Sequence, residues 1–152
     1  MIEIREDDLS DDDVRALLAL HLNGMHANSP PGHVFALDLS GLRSAEVTVW
    51  TAWVDGALAG IGALKDLGDG TGELKSMRTH PDHLRKGVAA ALLEHAIAAA
   101  QARKYRRVSI ETGTGEAFEP ALALYRKRGF GHGEPFGGYA HTEFNQLLHL
   151  AL

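Results

Sequence analysis

The chain reads as an α/β protein of the α+β kind, with a mixed, mostly antiparallel sheet flanked by helices. Three observations predict this. From Val47 to Thr79, three stretches follow one another, separated by the turn sequences Asp55-Gly56 and Gly68-Asp69-Gly70-Thr71-Gly72, and the first is dense in β-branched and aromatic residues. A strand-to-helix junction then runs through Thr79-His80-Pro81-Asp82-His83-Leu84-Arg85-Lys86-Gly87 into Val88-Ala89-Ala90-Ala91-Leu92-Leu93. A strand–helix–strand succession closes the chain, so an antiparallel first half is joined to a crossover unit.

The elements follow in order. Met1–Arg5 alternates apolar and polar residues, as a half-buried strand does. Ser10 is the expected N-cap of a first helix, with Asp11, Asp12 and Asp13 in its first turn and Val14, Leu17, Leu18, His21 and Leu22 along one stripe. Asn28-Ser29-Pro30-Pro31-Gly32 ends it. Phe35–Leu42 is expected as a second, irregular helix. Strands are predicted over Val47–Val54, Ala57–Leu64 and Glu73–Thr79. A long helix starts at Val88, with Leu92, Leu93, Ala96, Ile97 and Ala100 on a broad apolar face. Arg107–Glu111 is a strand, and Ala117–Arg128 is a helix closed by Gly129. The glycines 131, 133, 137 and 138 interrupt regular structure before a last strand over His141–Leu150.

Composition narrows the function. At 152 residues, with 45 % hydrophobic and 23 % charged residues, the chain is expected to form one globular domain over residues 1–152. No apolar run is long enough to span a bilayer, and the acidic start lacks a signal-peptide pattern, so a cytoplasmic protein without a membrane partner is expected. The formal net charge of −5 weighs against nucleic acid as a partner. Arg103-Lys104-Tyr105-Arg106-Arg107 is better read as a solvated helix terminus. Cysteine is absent, which removes disulfides, thiolate metal sites and a cysteine acyl-enzyme. The nine histidines include no pair at the spacing of a helical zinc site, and no metal is expected.

The junction at Gly87 has the makings of a pyrophosphate cradle. Glycine leaves the backbone approachable, the first turn of the following helix presents N–H groups, and Arg85 and Lys86 add positive charge. Two common owners of such cradles are excluded. No Gly-Lys-Ser/Thr follows a glycine at P-loop spacing, and Gly60-Ile61-Gly62 and Gly113-Thr114-Gly115 each lack the third glycine of a dinucleotide fingerprint.

The segment Glu73-Leu74-Lys75-Ser76-Met77-Arg78-Thr79-His80-Pro81 through Leu93 resembles the acetyl-CoA-binding motif of the GNAT superfamily of N-acetyltransferases. Ala121-Leu122-Ala123-Leu124-Tyr125-Arg126-Lys127-Arg128-Gly129-Phe130 is similar to the family's later helix, which ends in a tyrosine, a basic residue and Gly-Phe. The order of elements agrees over nearly the whole chain. The chain departs from the family at Leu84, where Gln or Arg is usual, and at Phe118, where Asn is common.

The resemblance implies an acyl-CoA N-acyltransferase fold and transfer of acetyl from acetyl-CoA, as acyl-donor cosubstrate, to a primary amine. The acceptor is a small molecule or a peptide, and a homodimer is compatible with the family. Without cysteine, direct attack in a ternary complex is the natural route; a serine acyl-enzyme has no supporting motif. Tyr125 would be the general acid for the departing thiolate, and Glu73 the general base, directly or through water. Met77 and Thr79, with Arg78 between them, would hold the cofactor arm and acyl carbonyl through their main chain. Leu84, Arg85, Lys86, Gly87, Val88 and Ala89 would surround the pyrophosphate, and Phe118 and Ala121 would lie along the arm. His26, Phe35, Glu111 and Tyr139 are the candidates for the acceptor pocket. The competing reading is a non-catalytic acyl-CoA-binding or sensing module, for which Leu84 and Phe118 argue.

Overall fold

The computed structural model describes residues 1–152. Seven strands, β1 (Ile2–Glu6), β2 (Val47–Val54), β3 (Ala57–Asp66), β4 (Thr71–Thr79), β5 (Arg107–Gly113), β6 (Gly131–His132) and β7 (Asn145–Ala151), form one sheet in the order β1-β2-β3-β4-β5-β7-β6. Neighbours are antiparallel except β4 and β5, which are parallel and joined by a crossover through α3 (Val88–Ala102). The mixed, mostly antiparallel sheet flanked by helices is therefore as predicted.

Two cores lie on opposite faces of this sheet. Leu92, Leu93, Ala96 and Ile97 of α3 and Leu122 of α4 (Glu119–Arg128) pack on Leu64, Leu74, Val108 and Leu148. On the other face, Val14, Leu17 and Leu18 of α1 (Asp12–Ala27) and Leu42 of α2 (Leu39–Leu42) cover Val49, Ile61 and Ala63. The stripe read from the sequence of α1 is the face that is buried. No helix is long and apolar enough to cross a membrane.

Several strands run one or two residues beyond the sequence reading, and four further boundaries differ from it for a local reason. Asp11, not Ser10, caps α1, its carboxylate accepting from the N–H of Asp13 at 2.8 Å. Ser10 instead donates its hydroxyl to Asp8 at 2.6 Å. The second helix is one turn, Leu39–Leu42, capped by Asp38, and Phe35 lies in irregular chain before it. The last strand starts at Asn145 rather than His141, because Asn145 binds Ala140 O at 2.8 Å and the Thr142 N–H at 2.9 Å, folding that stretch into a polar turn. Finally, α4 begins at Glu119 rather than Ala117, with Pro120 in its first turn and a tighter turn over Glu116–Phe118 before it.

Two irregularities position the site. Between the pairs Ile61–Arg78 and Ala63–Lys75, β4 has one residue more than β3, a bulge in which Ser76 takes φ 58°. The bulge resets the alternation. Met77 turns toward α3, so that a Cβ on Gly62 would meet its sulfur at 2.7 Å, while Arg78 turns toward α1. The second irregularity is the brevity of the parallel pairing, which runs only from Thr71–Arg107 to Glu73–Ser109. Beyond it the two strands part.

Candidate active site

The parting of β4 and β5 opens a cleft of about 360 Å³ whose walls come from α1, β4, β5, α3 and α4. Along this edge Leu74–Thr79 has no strand partner, although β4 remains paired with β3 as far as Thr79–Gly60. Its N–H and C=O groups there are available to an extended ligand. Met77 and Thr79, the residues expected to act through their main chain, line the cleft.

At one end stands the N-terminus of α3. Gly87 is its N-cap, with φ 81° and no side-chain capping bond. A Cβ there would meet nothing within 4 Å, so the space above the first turn is open. Arg85, at φ 62°, also takes the left-handed conformation, and Lys86 is exposed, 3.4 Å from His83 Nδ1. Uncapped N–H groups, an open approach and two cations fit a pyrophosphate. Leu84 is exposed and lines the cleft together with Ala89. The Val88 side chain is buried in the core against Gly60, which leaves its N–H as the group that can face a ligand.

Tyr125 and Phe118 occupy the α4 wall with Ala121. The Tyr-to-Gly-Phe signature has a direct structural meaning. Gly129, at φ 113°, ends α4; Phe130 N–H donates to Tyr125 O at 3.0 Å and Gly129 N–H to Arg126 O at 3.0 Å. These are the two bonds of a Schellman cap, and the apolar contact that accompanies such a cap is the Tyr125–Phe130 ring pair, 5.7 Å between centroids. The motif therefore locks the tyrosine ring in place. Burial raises the Tyr125 hydroxyl far above its usual range, so it keeps its proton at physiological pH. Phe118 packs on Phe144 at 5.6 Å and presents an apolar surface where a polar residue is common in the family.

The opposite wall is polar. Glu73 and Lys75 are both buried and paired at 3.0 Å, and Tyr139 Oη donates to the same Glu73 oxygen at 2.6 Å while accepting from Lys75 at 2.8 Å. Glu73 thus sits behind Lys75 with Oε2 already engaged, and it is Lys75 and Glu111 that line the cleft. Glu111 is pushed up to about 7, chiefly by burial and further by the Glu73 charge, against the opposing effects of Lys75 and Asn145. Tyr139 anchors this group from the loop before β7 and packs edge-on to Phe35 at 5.4 Å; Phe35 lines the cleft, and Tyr139 stands behind it.

His26 is not part of the cleft. The residues of α1 that face it are His21, Gly24, Met25 and Asn28, at helical spacing, and His26 lies off that face, in a shallow surface recess with Pro30 and Pro31. Of the two α1 histidines, His21 is the one that lines the cleft. Its Nδ1 accepts from Arg78 Nε at 3.0 Å, and burial, then the Arg78 charge, lowers it to about 4, so it is neutral. The signal for His21 was present in the sequence as a histidine inside an apolar stripe; Lys75 and Ser76 carried none, since their placement depends on the bulge.

The profile of the acetyltransferase (GNAT) family matches residues 12–130. The chain is 47 % identical over 152 residues to the Escherichia coli (strain K12) protein YedL, an uncharacterised N-acetyltransferase by name, covering 100 % of this chain and 96 % of that one. A Klebsiella pneumoniae structure assigned as an acyl-CoA N-acyltransferase superposes with a TM-score of 0.84 at 25 % identity, over 100 % of this chain and 98 % of that one. A Bacillus subtilis acetyltransferase solved in complex with CoA gives a TM-score of 0.73 at 21 % identity, over 100 % and 99 % of the two chains. With the cleft, the cradle and the capped tyrosine in the places described, the chain belongs to the acetyltransferase (GNAT) family and is an N-acetyltransferase.

Proposed function

We propose that the protein transfers acetyl from acetyl-CoA to the primary amine of a small acceptor, by direct attack in a ternary complex, with Tyr125 as general acid and Glu111 as general base. The observation that carries this is the cleft between β4 and β5, which has an uncapped helix N-terminus at one end and walls bearing Tyr125 and Glu111. The cofactor supplies an activated acetyl thioester. Gly87, Val88 and Ala89 N–H groups, with Arg85 and Lys86, would hold its pyrophosphate, and the free edge of β4 its arm.

An amine of the lysine type has a pKa of about 10.4 and arrives as an ammonium ion. Glu111, titrating at about 7, is a base matched to neutral pH and stands on the acceptor wall. Glu73, the base expected from the family, becomes a positioning residue in this reading: it neutralises Lys75 and holds Tyr139. Tyr125 keeps its proton at neutral pH and can deliver it when a thiolate leaves. The non-catalytic sensing module gains no support from relatives that carry enzyme names.

The test is free-thiol release from acetyl-CoA over a panel of amines, with wild type and Glu111→Gln compared across pH. Amine-dependent release whose rate rises through about pH 7 and loses that rise in the variant is expected. CoA binding without release for any amine would refute catalysis, and an unchanged pH profile in Glu111→Gln would move the base elsewhere.

A further inference from the structure

The bulge in β4 puts two groups on the cleft wall that the proposed reaction leaves unused. The first is Arg78. Its guanidinium is half-buried and held by His21, through Nδ1 at 3.0 Å and the carbonyl at 3.4 Å, and it forms no ion pair with any carboxylate. His21 cannot balance it, being a neutral imidazole. Lys75 is already neutralised by Glu73 at 3.0 Å, so the guanidinium is the cation of this wall that no carboxylate pairs. The second group is Ser76, which lines the same cleft, is only 7 % exposed, and whose Oγ has no hydrogen-bond partner. A half-buried charge without a counter-ion and a buried hydroxyl without a partner both carry a cost in the free protein, and both are relieved by one anionic ligand.

Resting on the proposed acetyl transfer, we infer that the β4 bulge is a carboxylate-recognition subsite, in which Arg78 and Ser76 receive the carboxylate of an acceptor that is itself an amino acid or an amine of that kind. The guanidinium fork matches a planar carboxylate, and the His21 contacts fix its orientation before the ligand arrives. Gly24 belongs to the same arrangement: a Cβ there would stand 2.9 Å from the guanidinium, so the glycine leaves room for Arg78 in the position where His21 holds it. Acceptor selection then comes from two ends of one small molecule. The amine is directed to Glu111 and the carboxylate to Arg78, both on the wall of a single cleft.

Matched pairs test this: amino acids against their decarboxylated amines, such as phenylalanine with phenethylamine and leucine with isoamylamine, in wild type, Arg78→Met, Arg78→Lys and Ser76→Ala. The expected result is a kcat/KM at least about tenfold higher for the carboxylate member in wild type, as loss of a charged hydrogen bond predicts. Arg78→Met brings the ratio to near unity through acceptor KM, Arg78→Lys restores part of it, and Ser76→Ala lowers it by a smaller factor. Equal turnover of the pair members in wild type overturns the inference, as does a preference retained in Arg78→Met. A tenfold rise in acetyl-CoA KM in Arg78→Met with the ratio unchanged also overturns it, because the guanidinium would then serve the cofactor.

Calorimetric binding of the same pairs to CoA-saturated protein separates this inference from the reaction. If no amine releases thiol, the proposed acetyl transfer fails, yet preferential binding of the amino acid by wild type and not by Arg78→Met still supports the subsite. Binding of neither member in that case overturns both.

Discussion

Replacing Lys75 by Met should move the titration that governs kcat/KM to higher pH. Glu111 is held at about 7 by a balance: burial and the Glu73 carboxylate raise it, while Lys75 and Asn145 lower it. Methionine keeps most of the apolar stem of Lys75 but removes the ammonium group, and with it the partner 3.0 Å from Glu73 Oε2. Glu111 then loses a stabilising cation and faces a Glu73 charge that nothing neutralises. Both effects act in the same direction. Since an opposite charge nearby lowers a carboxyl group by about 1–3 units, a rise of at least about one unit is expected.

A base works in its ionised form, so the wild-type rate should climb through about pH 7 and level off above it. In Lys75→Met the climb centres at about pH 8 or higher. At neutral pH the ionised fraction falls from roughly one half to about one tenth, an about fivefold loss of kcat/KM that is recovered in alkali. Thiol release measured from about pH 5.5 to about 9.5 reads this directly. Taking the ratio of variant to wild type cancels the ionisation of the acceptor amine. Recovery at high pH also distinguishes the effect from misfolding. A variant whose midpoint coincides with that of wild type would refute the coupling and the assignment of Glu111 as the base.

Three further outcomes follow from the same structure. Glu111→Gln should be more stable than wild type at pH 8 but not near pH 4.5. The folded protein holds the Glu111 proton up to about 7 against an ordinary value of 4.5, so wild-type stability is full below 4.5 and is lost as pH rises through about 7. Allowing for partial exposure, the difference at pH 8 should be about 1–2 kcal/mol by urea unfolding; an equal difference at both pH values would contradict the buried-acid argument. Tyr125→Phe keeps the ring contact with Phe130 and loses only the hydroxyl, so kcat should fall about tenfold or more while acetyl-CoA affinity and Tm hold. Full activity would remove Tyr125 from the reaction. Gly87→Ala places a Cβ in open space but at φ 81°, so a loss of about 1–2 kcal/mol is expected from backbone strain alone. Weaker CoA binding should accompany it, and calorimetry showing unaltered affinity would exclude Gly87 from the cradle.

The amino-acid sequence was informative wherever a feature depends on residues close together in the chain. The αL glycine before α3, the turn dipeptide between β2 and β3, the apolar stripe of α1 and the cap that fixes Tyr125 are all short-range, and each was legible. The acidic entry to α1 was legible too, though the four adjacent residues Ser10, Asp11, Asp12 and Asp13 can all cap a helix, and the cap lies one position beyond the Ser10 expected. The two-residue β6 was not, because a strand that short carries no period of its own.

Only the tertiary structure decided what faces the cleft. In a strand, one extra residue exchanges the two faces, so the bulge at Ser76 turns Met77 toward α3 and Arg78 toward α1. It also decided which carboxylate lines the cleft. Glu73 and Glu111 are 38 positions apart but share a wall through the β4–β5 register, and Lys75 and Tyr139 occupy the first and leave the second in the cleft. Such assignments depend on long-range pairing and on burial, which set a side chain's charge and partners only once distant strands have met.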